Sequence, residues 1–395
     1  MIDRLIIICF LVSLLVTSWI HPKILLIALR KDIVDNPGAR KLQRTPIPVL
    51  GGVTIFFGIT LGIACAMLKM DCSALMPSLT AMILIMAVGT MDDIIELSPS
   101  FRFLIETVIT LLMIFSSGAT LDNFHGLWGF YQIPAWFSLP LTVVAVVGIV
   151  NAINLIDGVD GLSSGFCIMA SVLFGILFYK SGYSEMLLLA SISTGALIPF
   201  FFHNVFGRRS KMFIGDGGSL LMGIVMSTFV IQTITTKAPC ASLHPRLGLV
   251  AFTVAVMSIP IFDTLRVMSI RILRGKSPFS PDKTHLHHLF IEMGFSHLGT
   301  SFSILSLNFL VVLCWWIAYR LGASIETQFY IVIGISVSVT FVFYKFMKIN
   351  QSRKTKLWLR MQRLGSISHV ENAAPFRWMQ QVMDYTAKRV VRFDN

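Results

Sequence analysis

The sequence predicts an all-α, polytopic membrane protein, from its composition, its apolar segments and the placement of its basic residues. Of the 395 residues, 55% are hydrophobic and only 13% are charged, and the mean hydropathy is +0.77. Ordinary soluble domains carry about 25% charged residues, so a soluble fold could not cover this apolar surface. The same composition excludes a disordered chain. The six cysteines include no Cys-x-x-Cys pair, so neither a disulfide framework nor a zinc ribbon is expected.

About eleven apolar segments are long enough for transmembrane helices, which need about 20 mainly apolar residues each. They lie near residues 5–29, 47–68, 74–91, 101–117, 133–151, 164–180, 184–203, 217–236, 247–269, 300–321 and 325–347. The first segment has no small-residue cleavage site, so it is interpreted as a retained span and not as a signal peptide. An odd number of spans places the two termini on opposite sides of the membrane.

Lysine and arginine residues predict the orientation. Most of the 32 basic residues follow the first, seventh and ninth spans or lie in the tail after the last span. Because excess Lys and Arg marks the cytoplasmic face, the N-terminus is expected outside and the C-terminus in the cytoplasm. The net charge of +12 therefore indicates orientation, and no nucleic-acid partner is expected. Residues 1–347 are predicted to form a transmembrane domain. Residues 348–395 are predicted to form a basic cytoplasmic tail, for which an amphipathic helix at the membrane surface, a partner-docking segment and a disordered segment are the alternatives.

Acidic residues gather on the same predicted face. The acid-rich segments follow the first, third, fifth, seventh and ninth spans, while the predicted external loops hold only isolated acids. Acids without a common function would be scattered over both faces. We therefore expect the cytoplasmic face to carry the chemistry.

The first two cytoplasmic segments carry opposite charges. Arg40 and Lys41 lie in a proline-rich loop that ends in a pair of glycines. Such a loop suits an anionic ligand, although an ordinary basic loop would look the same. Asp92 and Asp93 follow the third span. Adjacent carboxylates are costly unless a cation or a proton offsets their charge, so they are candidates for metal binding or general-base catalysis, with a solvated helix end as the alternative.

Polar residues recur at every third position at the end of the fifth span. Asn151, Asn154, Asp157 and Asp160 form one stripe on an otherwise apolar helix end. Their oxygens are hard ligands of the kind that Mg²⁺ accepts, and unsatisfied polar groups at a span terminus are costly. The stripe therefore predicts a cation or substrate site.

A glycine-rich segment precedes the eighth span. Asp216 is preceded by one glycine and followed by Gly217, Gly218 and Ser219. Such a helix start is expected to leave backbone N–H groups free for phosphate oxygens, and Asp216 could hold a metal that bridges those phosphates. The segment is not a Walker P-loop, because the Gly-Lys-Ser/Thr ending is missing.

Three histidines, His285, His287 and His288, lie within four residues after a prolyl turn, and we call them the histidine box. They could bind a transition metal, or their N–H groups could donate to a pyrophosphate. The remaining histidines are dispersed along the sequence, so a di-iron centre is not expected. Phosphate binding is therefore favoured.

Together these motifs resemble, in order and spacing, those of the polyprenyl-phosphate N-acetylhexosamine-1-phosphate transferases of glycosyltransferase family 4, over about residues 1–347. The resemblance implies transfer of a sugar-1-phosphate, typically from UDP-GlcNAc, to undecaprenyl phosphate with release of UMP. It implies a multi-pass protein of the bacterial cytoplasmic (inner) membrane with a cytoplasmic active site, serving cell-surface polysaccharide synthesis such as lipopolysaccharide or cell wall. The implied cofactor is Mg²⁺, with Mn²⁺ as a substitute, and a homodimer is left open.

The resemblance also assigns roles residue by residue. The implied metal ligands are Asn154 and Asp216. The implied catalytic residues are Asp92, Asp93, Asp157 and Asp160. The implied substrate-binding residues are Arg40, Lys41, Asn151, Gly217, Ser219, His285, His287 and His288. Asp92 is the candidate base, but direct attack by the lipid phosphate is favoured, because an ionised phosphate is already nucleophilic.

Some features depart from the pattern or admit other interpretations. Gln43 stands where the family often has histidine and receives no catalytic part. The His-x-His-His form favours the simple amino-sugar branch over phospho-N-acetylmuramoyl-pentapeptide transferases. Asp263 and Arg266 are either functional or an interhelical salt bridge. A transporter or lipid flippase would place polar groups at the midplane and show internal repeats, and an intramembrane aspartyl protease would need only two of the acids.

Overall fold

In this computed structural model the structure describes residues 2–37, 45–278 and 284–391. These residues are almost entirely helical. Within them the strands are two short segments, β1 (Val34–Asp35) and β2 (Ile47–Pro48), which pair antiparallel. The membrane-domain helices are α1 (Ile2–Arg30), α2 (Gly51–Met67), α3 (Met76–Ile95), α4 (Pro99–Ser117), α5 (Ala135–Leu155), α6 (Leu162–Lys180), α7 (Ser184–Phe206), α8 (Gly215–Ile234), α9 (Leu249–Val256), α10 (Ser258–Leu273), α11 (Leu286–Glu292), α12 (His297–Arg320), α13 (Ile325–Val337) and α14 (Phe343–Ser352). The tail adds α15 (Lys356–Ile367) and α16 (Ala374–Val391).

Short helical segments join several of these elements. Single 3₁₀ turns cover Ser73–Leu75, Leu127–Gly129 and Pro239–Ser242, and a π-helical stretch, Ser338–Val342, connects α13 to α14. Some of the helices begin with a side-chain cap. The hydroxyls of Ser98 and Ser296 accept the backbone N–H groups of residues three positions later and so begin α4 and α12.

Each of the eleven predicted apolar segments is helical, but a count of eleven membrane spans is not confirmed. Within the described residues nine helices are long and apolar enough to cross a membrane, and the count rises to ten if the bent pair α9–α10 is one span. The remaining helix, α2, has 17 residues. It is about 26 Å long, slightly less than the hydrocarbon core of a typical bilayer. The all-α, polytopic membrane class is confirmed.

Helix α8 lies at the centre of the bundle. In its apolar window 94% of the residues are buried, against 22% for the span Ile325–Ser352. Glycines allow close approach of its neighbours, because a Cβ on Gly218 would lie 2.6 Å from the Cα of Gly52 in α2. A Cβ on Gly89 in α3 would lie 2.5 Å from the Cα of Gly217. The backbones of α2 and α3 therefore touch the start of α8 directly.

Helices α9 and α10 meet at a bend of 71°. The break leaves backbone groups without partners inside the helices, and one buried side chain on α12 satisfies them. The Asn308 amide accepts the N–H of Ile259 at 2.9 Å and donates to the carbonyl of Val256 at 2.9 Å. A single amide thus stabilises the bend where water is scarce.

The tail packs against the membrane domain. Helix α16 lies against α1 and α7, and the ring of Phe376 is 5.1 Å from that of Phe206. Nearer the start of the tail, the hydroxyl of Ser368 accepts the N–H of Ser296 at 2.8 Å. Apolar side chains of α16 such as Trp378 are exposed, as expected for a helix at the membrane surface. The location of the tail at that surface stays a prediction.

Candidate active site

Three carboxylates from α3 and α8 meet at one end of the bundle, and we call Asp92, Asp93 and Asp216 the acid cluster. The Asp93 carboxylate accepts the backbone N–H of Asp216 at 2.7 Å and that of Gly217 at 3.1 Å. The expectation that these N–H groups are free for phosphate is therefore wrong, because Asp93 already pairs them. Asp93 acts here as the cap of α8. The prediction that Gly217 and Ser219 bind substrate stays untested.

An arginine lies between the two remaining carboxylates. Arg102 Nη1 is 3.0 Å from Asp92 Oδ2 and 3.8 Å from Asp216 Oδ1. Its Nε is 3.6 Å from the buried carboxylate of Glu106, one turn later on α4. Asp92 is 6% exposed, so the guanidinium offsets negative charge that water could not solvate.

Sequence reasoning missed Arg102 and Glu106. The sequence does contain one indication of their importance. An arginine and a glutamate, four residues apart, lie in the otherwise apolar span that directly follows Asp92 and Asp93. Charged residues in such a span usually face a functional interior.

The two asparagines of the polar stripe hold acids in place. Asn154 Nδ2 donates to Asp216 Oδ1 at 2.5 Å and to Ser219 Oγ at 2.9 Å. Asn151 is buried and donates to Glu106 Oε2 at 2.5 Å. Asn154 therefore orients Asp216 through its amide nitrogen, and its oxygen would be the atom available to a metal. Substrate binding by Asn151 stays a prediction, since its amide nitrogen already pairs with Glu106 and the Val147 carbonyl.

The loop between α5 and α6 carries the other two acids of the stripe. Asp157 accepts the Ser163 hydroxyl at 2.5 Å. Burial raises the pKa of Asp157 to about 7, the Ser163 hydroxyl opposes that change, and the negative charges of Asp216 and Asp160 add to it. Asp157 is therefore close to half protonated at neutral pH.

Asp160 is held by a lysine and a histidine. Its Oδ2 is 2.6 Å from Lys211 Nζ and 2.8 Å from His297 Nδ1. Burial alone would raise the pKa of Asp160, but the hydrogen bond from His297 and the charge of Lys211 hold it below its ordinary value. Asp160 is therefore an ionised carboxylate that a metal would have to share with Lys211 and His297.

Histidines that are dispersed in sequence are not all isolated in the structure. His297, 137 residues after Asp160, contacts it, and the rings of His21 and His203 stack at 4.1 Å. Neither relation has a spacing pattern that sequence reasoning could detect. Lys211 also contacts Asp160. In the sequence it could be recognised only as one of several basic loop residues.

The histidine box lies beside this loop. The ring of His287 contacts Gly158, where a Cβ would lie 2.4 Å from Nε2. The rings of His285 and His287 are parallel at 5.6 Å. Burial, together with the neighbouring histidines His288 and His285, lowers the pKa of His287 well below its ordinary value. His287 is therefore neutral at neutral pH and can donate only one N–H.

Asp263 anchors the histidine box to α10. Its Oδ1 is 2.6 Å from Arg266 Nη2, and its Oδ2 is 3.0 Å from His285 Nδ1. It also accepts the backbone N–H of Leu286. Arg266 in turn donates to the carbonyl of Thr284 at 2.6 Å. Asp263 and Arg266 therefore form a salt bridge within α10 that positions the box. The expectation of an interhelical salt bridge is wrong, because both residues lie on one helix.

Residues Arg40 and Lys41, and with them Gln43, lie outside the described residues. Their predicted parts therefore stay predictions. The neighbouring segment nevertheless reaches the site, because Gly51 and Gly52 donate to the carbonyls of Phe213 and Ile214 at 2.9 and 2.7 Å.

The donor set can be tested for a metal. Among the described residues no three His, Cys, Asp or Glu side chains form a group that could hold a metal ion. Mg²⁺, however, is commonly bound by one or two carboxylates plus substrate phosphates and waters. Asp92 and Asp216, linked through Arg102, with the amide oxygen of Asn154 nearby, fit a hard divalent cation whose coordination the substrate completes.

The fold and the site define a class: a polytopic helical membrane protein with acids, amides and histidines gathered at one end of its bundle. Residues 75–234 match the model of glycosyl transferase family 4. The chain is 30% identical over 277 residues to undecaprenyl-phosphate alpha-N-acetylglucosaminyl 1-phosphate transferase of Salmonella typhi, covering 68% of this chain and 72% of that protein. The enzymes of the same name from Yersinia pestis and Escherichia coli K12 are 30% and 28% identical, with the same shares covered.

These similarities are sufficient to place the protein. The chain belongs to glycosyl transferase family 4, among the polyprenyl-phosphate sugar-phosphate transferases, and the resemblance seen in its motifs is confirmed. The matched segment contains the acid cluster, Arg102 and the polar stripe. The histidine box and the tail lie outside it.

Proposed function

We propose that this protein transfers an N-acetylhexosamine-1-phosphate from a UDP-sugar to undecaprenyl phosphate and releases UMP. The observation that carries the proposal is the meeting of Asp92, Asn154 and Asp216 from three helices around the Arg102 guanidinium. Such a constellation of fixed charges suits a reaction between two phosphates. The names of the relatives supply the acceptor lipid.

In the proposed reaction an oxygen of the lipid phosphate attacks the donor phosphorus that carries the sugar. The bond from that phosphorus to the oxygen bridging the two donor phosphates breaks, and UMP leaves with that oxygen. Arg102 offsets charge beside Asp92 and Asp216 while the reactants approach. We favour direct attack because an ionised phosphate needs no deprotonation, so Asp92 need not act as a base and is free to hold the cation.

A bound Mg²⁺ would be held by Asp216 and Asp92, with the Asn154 amide as a further oxygen ligand, and Mn²⁺ would substitute for it. The metal would supply charge neutralisation between the phosphates. Asp93, in contrast, is committed to the backbone of α8. Its proposed part is therefore to fix Asp216 and not to bind the ion.

The proposed location is the bacterial inner membrane, with the site on the cytoplasmic face and the N-terminus outside. The basic residues of the loops around the site support this orientation. The proposed context is the first membrane step of a cell-surface polysaccharide such as lipopolysaccharide or a wall polymer. The His-x-His-His form supports a simple N-acetylhexosamine over a muramoyl-pentapeptide donor.

The test uses purified protein in detergent with undecaprenyl phosphate, Mg²⁺ and a panel of UDP-sugars. We expect UMP release that requires both the lipid and the metal and is abolished by a chelator. The most active donor identifies the sugar. Folded protein that releases no UMP with any UDP-N-acetylhexosamine would contradict the proposal.

A further inference from the structure

A cavity of about 890 Å³ lies between the membrane domain and the tail, and we call it the tail cavity. The membrane-domain side includes Asp160, Lys211 and Phe213. The tail side includes Asn372, Phe376 and Gln380. Its volume is within the range of about 300–1,000 Å³ that is typical of small-molecule sites.

The tail side of the cavity is held in place by hydrogen bonds at both of its ends. The Asp384 carboxylate accepts the backbone N–H groups of Arg208, Arg209 and Ser210 at 3.0, 2.9 and 3.0 Å. At the other end of this stretch, Ser296 Oγ donates to the carbonyl of Ser368 at 2.7 Å. The stretch 369–380 is therefore anchored on both sides, and its wall of the cavity is defined.

The cavity borders two loops, the one between α5 and α6 and the one that precedes α8. Phe213 lies three residues before Asp216, and Asp160 lies six residues after Asn154. Both lining residues are thus close in sequence to the candidate metal ligands, which makes the tail cavity a candidate site for the part of the donor beyond its phosphates. Lys211 is a cation in the wall of the tail cavity. Its Nζ contacts Asp160 and lies 5.8 Å from the ring of Phe213.

One acceptor at the edge of this cavity lacks a partner. Within the described part of the chain, Asp160 Oδ1 is buried without a hydrogen bond, while Oδ2 is shared by Lys211 and His297. A buried, unpaired carboxylate oxygen is costly. An N–H or O–H of a bound molecule would satisfy it.

We propose that the tail is part of the donor site: Asn372 and Gln380 hydrogen-bond the uncharged portion of the nucleotide-sugar donor in the tail cavity. This inference rests on the proposed function. Two carboxamides facing an ionised acid and an aromatic ring suit a ligand with several N–H, C=O and hydroxyl groups. The tail then determines donor affinity, and the lipid acceptor binds independently of it.

The test compares adjacent glutamines of α16. Gln380 lines the tail cavity, whereas Gln381 does not. We expect Gln380→Ala and Asn372→Ala each to raise the KM for the UDP-sugar about three- to tenfold, the effect of losing one hydrogen bond. The KM for undecaprenyl phosphate, the kcat and the melting temperature stay near wild type, and Gln381→Ala behaves as wild type throughout.

Direct titration with UDP separates this inference from the proposed reaction. In one outcome, wild-type protein releases UMP, and Gln380→Ala and Asn372→Ala have the same donor KM as Gln381→Ala. This result overturns the tail inference and leaves the proposed reaction unaffected. Wild-type protein that binds UDP, loses that affinity in the two variants and shows no turnover supports the tail inference against the reaction. Protein that neither turns over nor binds UDP overturns both.

A second variant tests the anchor. Asp384→Ala removes the acceptor of three N–H groups and is expected to undock α16. The donor KM should then rise at least as far as in Gln380→Ala while that of the lipid stays constant. Equal donor KM in Asp384→Ala and wild type, with α16 shown by proteolysis to be released, would show that the tail does not contact the donor.

Discussion

The acid cluster takes all its members from the family-matched residues 75–234, whereas the tail cavity joins that region to residues near 370–380. In the acid cluster, short motifs at helix ends meet because the helices carrying them pack side by side. In the tail cavity, Asp160 and Lys211 share the lining with tail residues roughly 160 to 220 positions later. Under the proposals above, the first region serves the reaction common to the family, and the second is where this chain sets its own donor preference.

The largest effect is expected in the acid cluster. Asp216→Asn should reduce turnover more than about a hundredfold, because it removes the carboxylate that lies beside Arg102 and that would hold the proposed metal. The protein should still insert and fold. UMP release and melting temperature are measured together, with Asp71→Asn as the control, since Asp71 pairs only with Ser73 in a loop. Retention of more than a few per cent of activity would refute the metal assignment.

The second largest effect on turnover is expected from substitution of Arg102. Arg102→Gln leaves Asp92 and Asp216 without the guanidinium between them, so we expect kcat to fall about a hundredfold, as when one preorganised donor is removed. The control is Arg320→Gln, whose guanidinium only lies over the ring of Trp316. If both variants kept wild-type kcat, Arg102 would be structural and the acid cluster would not need a fixed cation.

The packing beneath the acid cluster gives a stability prediction. A Cβ on Gly218 would lie 2.6 Å from the Cα of Gly52, whereas a Cβ on Gly148 would meet nothing within 4 Å. Gly218→Ala should destabilise the protein by about 1–3 kcal/mol, the usual cost of overpacking. Gly148→Ala should be neutral. Thermal unfolding in detergent compares them, and equal melting temperatures would show that α2 can move away from α8.

The smallest effect concerns the pH dependence of Asp157. With a pKa of about 7, this carboxyl is protonated below neutral pH, so activity that needs the carboxylate falls as pH decreases through 7. Ser163→Ala removes a hydrogen bond that stabilises the ionised form and should move this acid limb up by about half to one pH unit. Profiles of kcat between pH 5 and 9 test the shift. An unchanged limb would mean that the titrating group is not Asp157.

The two regions also differ in how far the sequence predicts them. Asp92, Asp93, Asn154 and Asp216 could be grouped beforehand, because spacing at helix ends and a shared side of the bundle bring them together. The use of Asp93 as a backbone cap could not be predicted, since it depends on the orientation of one carboxylate. Arg102 was visible only as a lone charge in an apolar helix.

The tail region was largely beyond prediction. Its basic composition indicated a surface helix, but docking depends on contacts such as Asp384 with residues 208–210, which no local pattern encodes. The eleven helical segments followed from hydropathy. The number that cross the membrane did not, because the short helix α2 and the bend before α10 are set by packing.

The bend between α9 and α10 determines where Asp263 lies. Asp263 is five residues into α10, about 7.5 Å along its axis at 1.5 Å per residue. With the 71° turn removed, a straight continuation of α9 would shift Asp263 by about 9 Å. The carboxylate that holds His285 would then lie beyond hydrogen-bonding reach. The Asn308 amide on α12 therefore determines the position of the histidine box, although it lies on a different helix. Any movement of α12 against α9 would cause a larger displacement at the box.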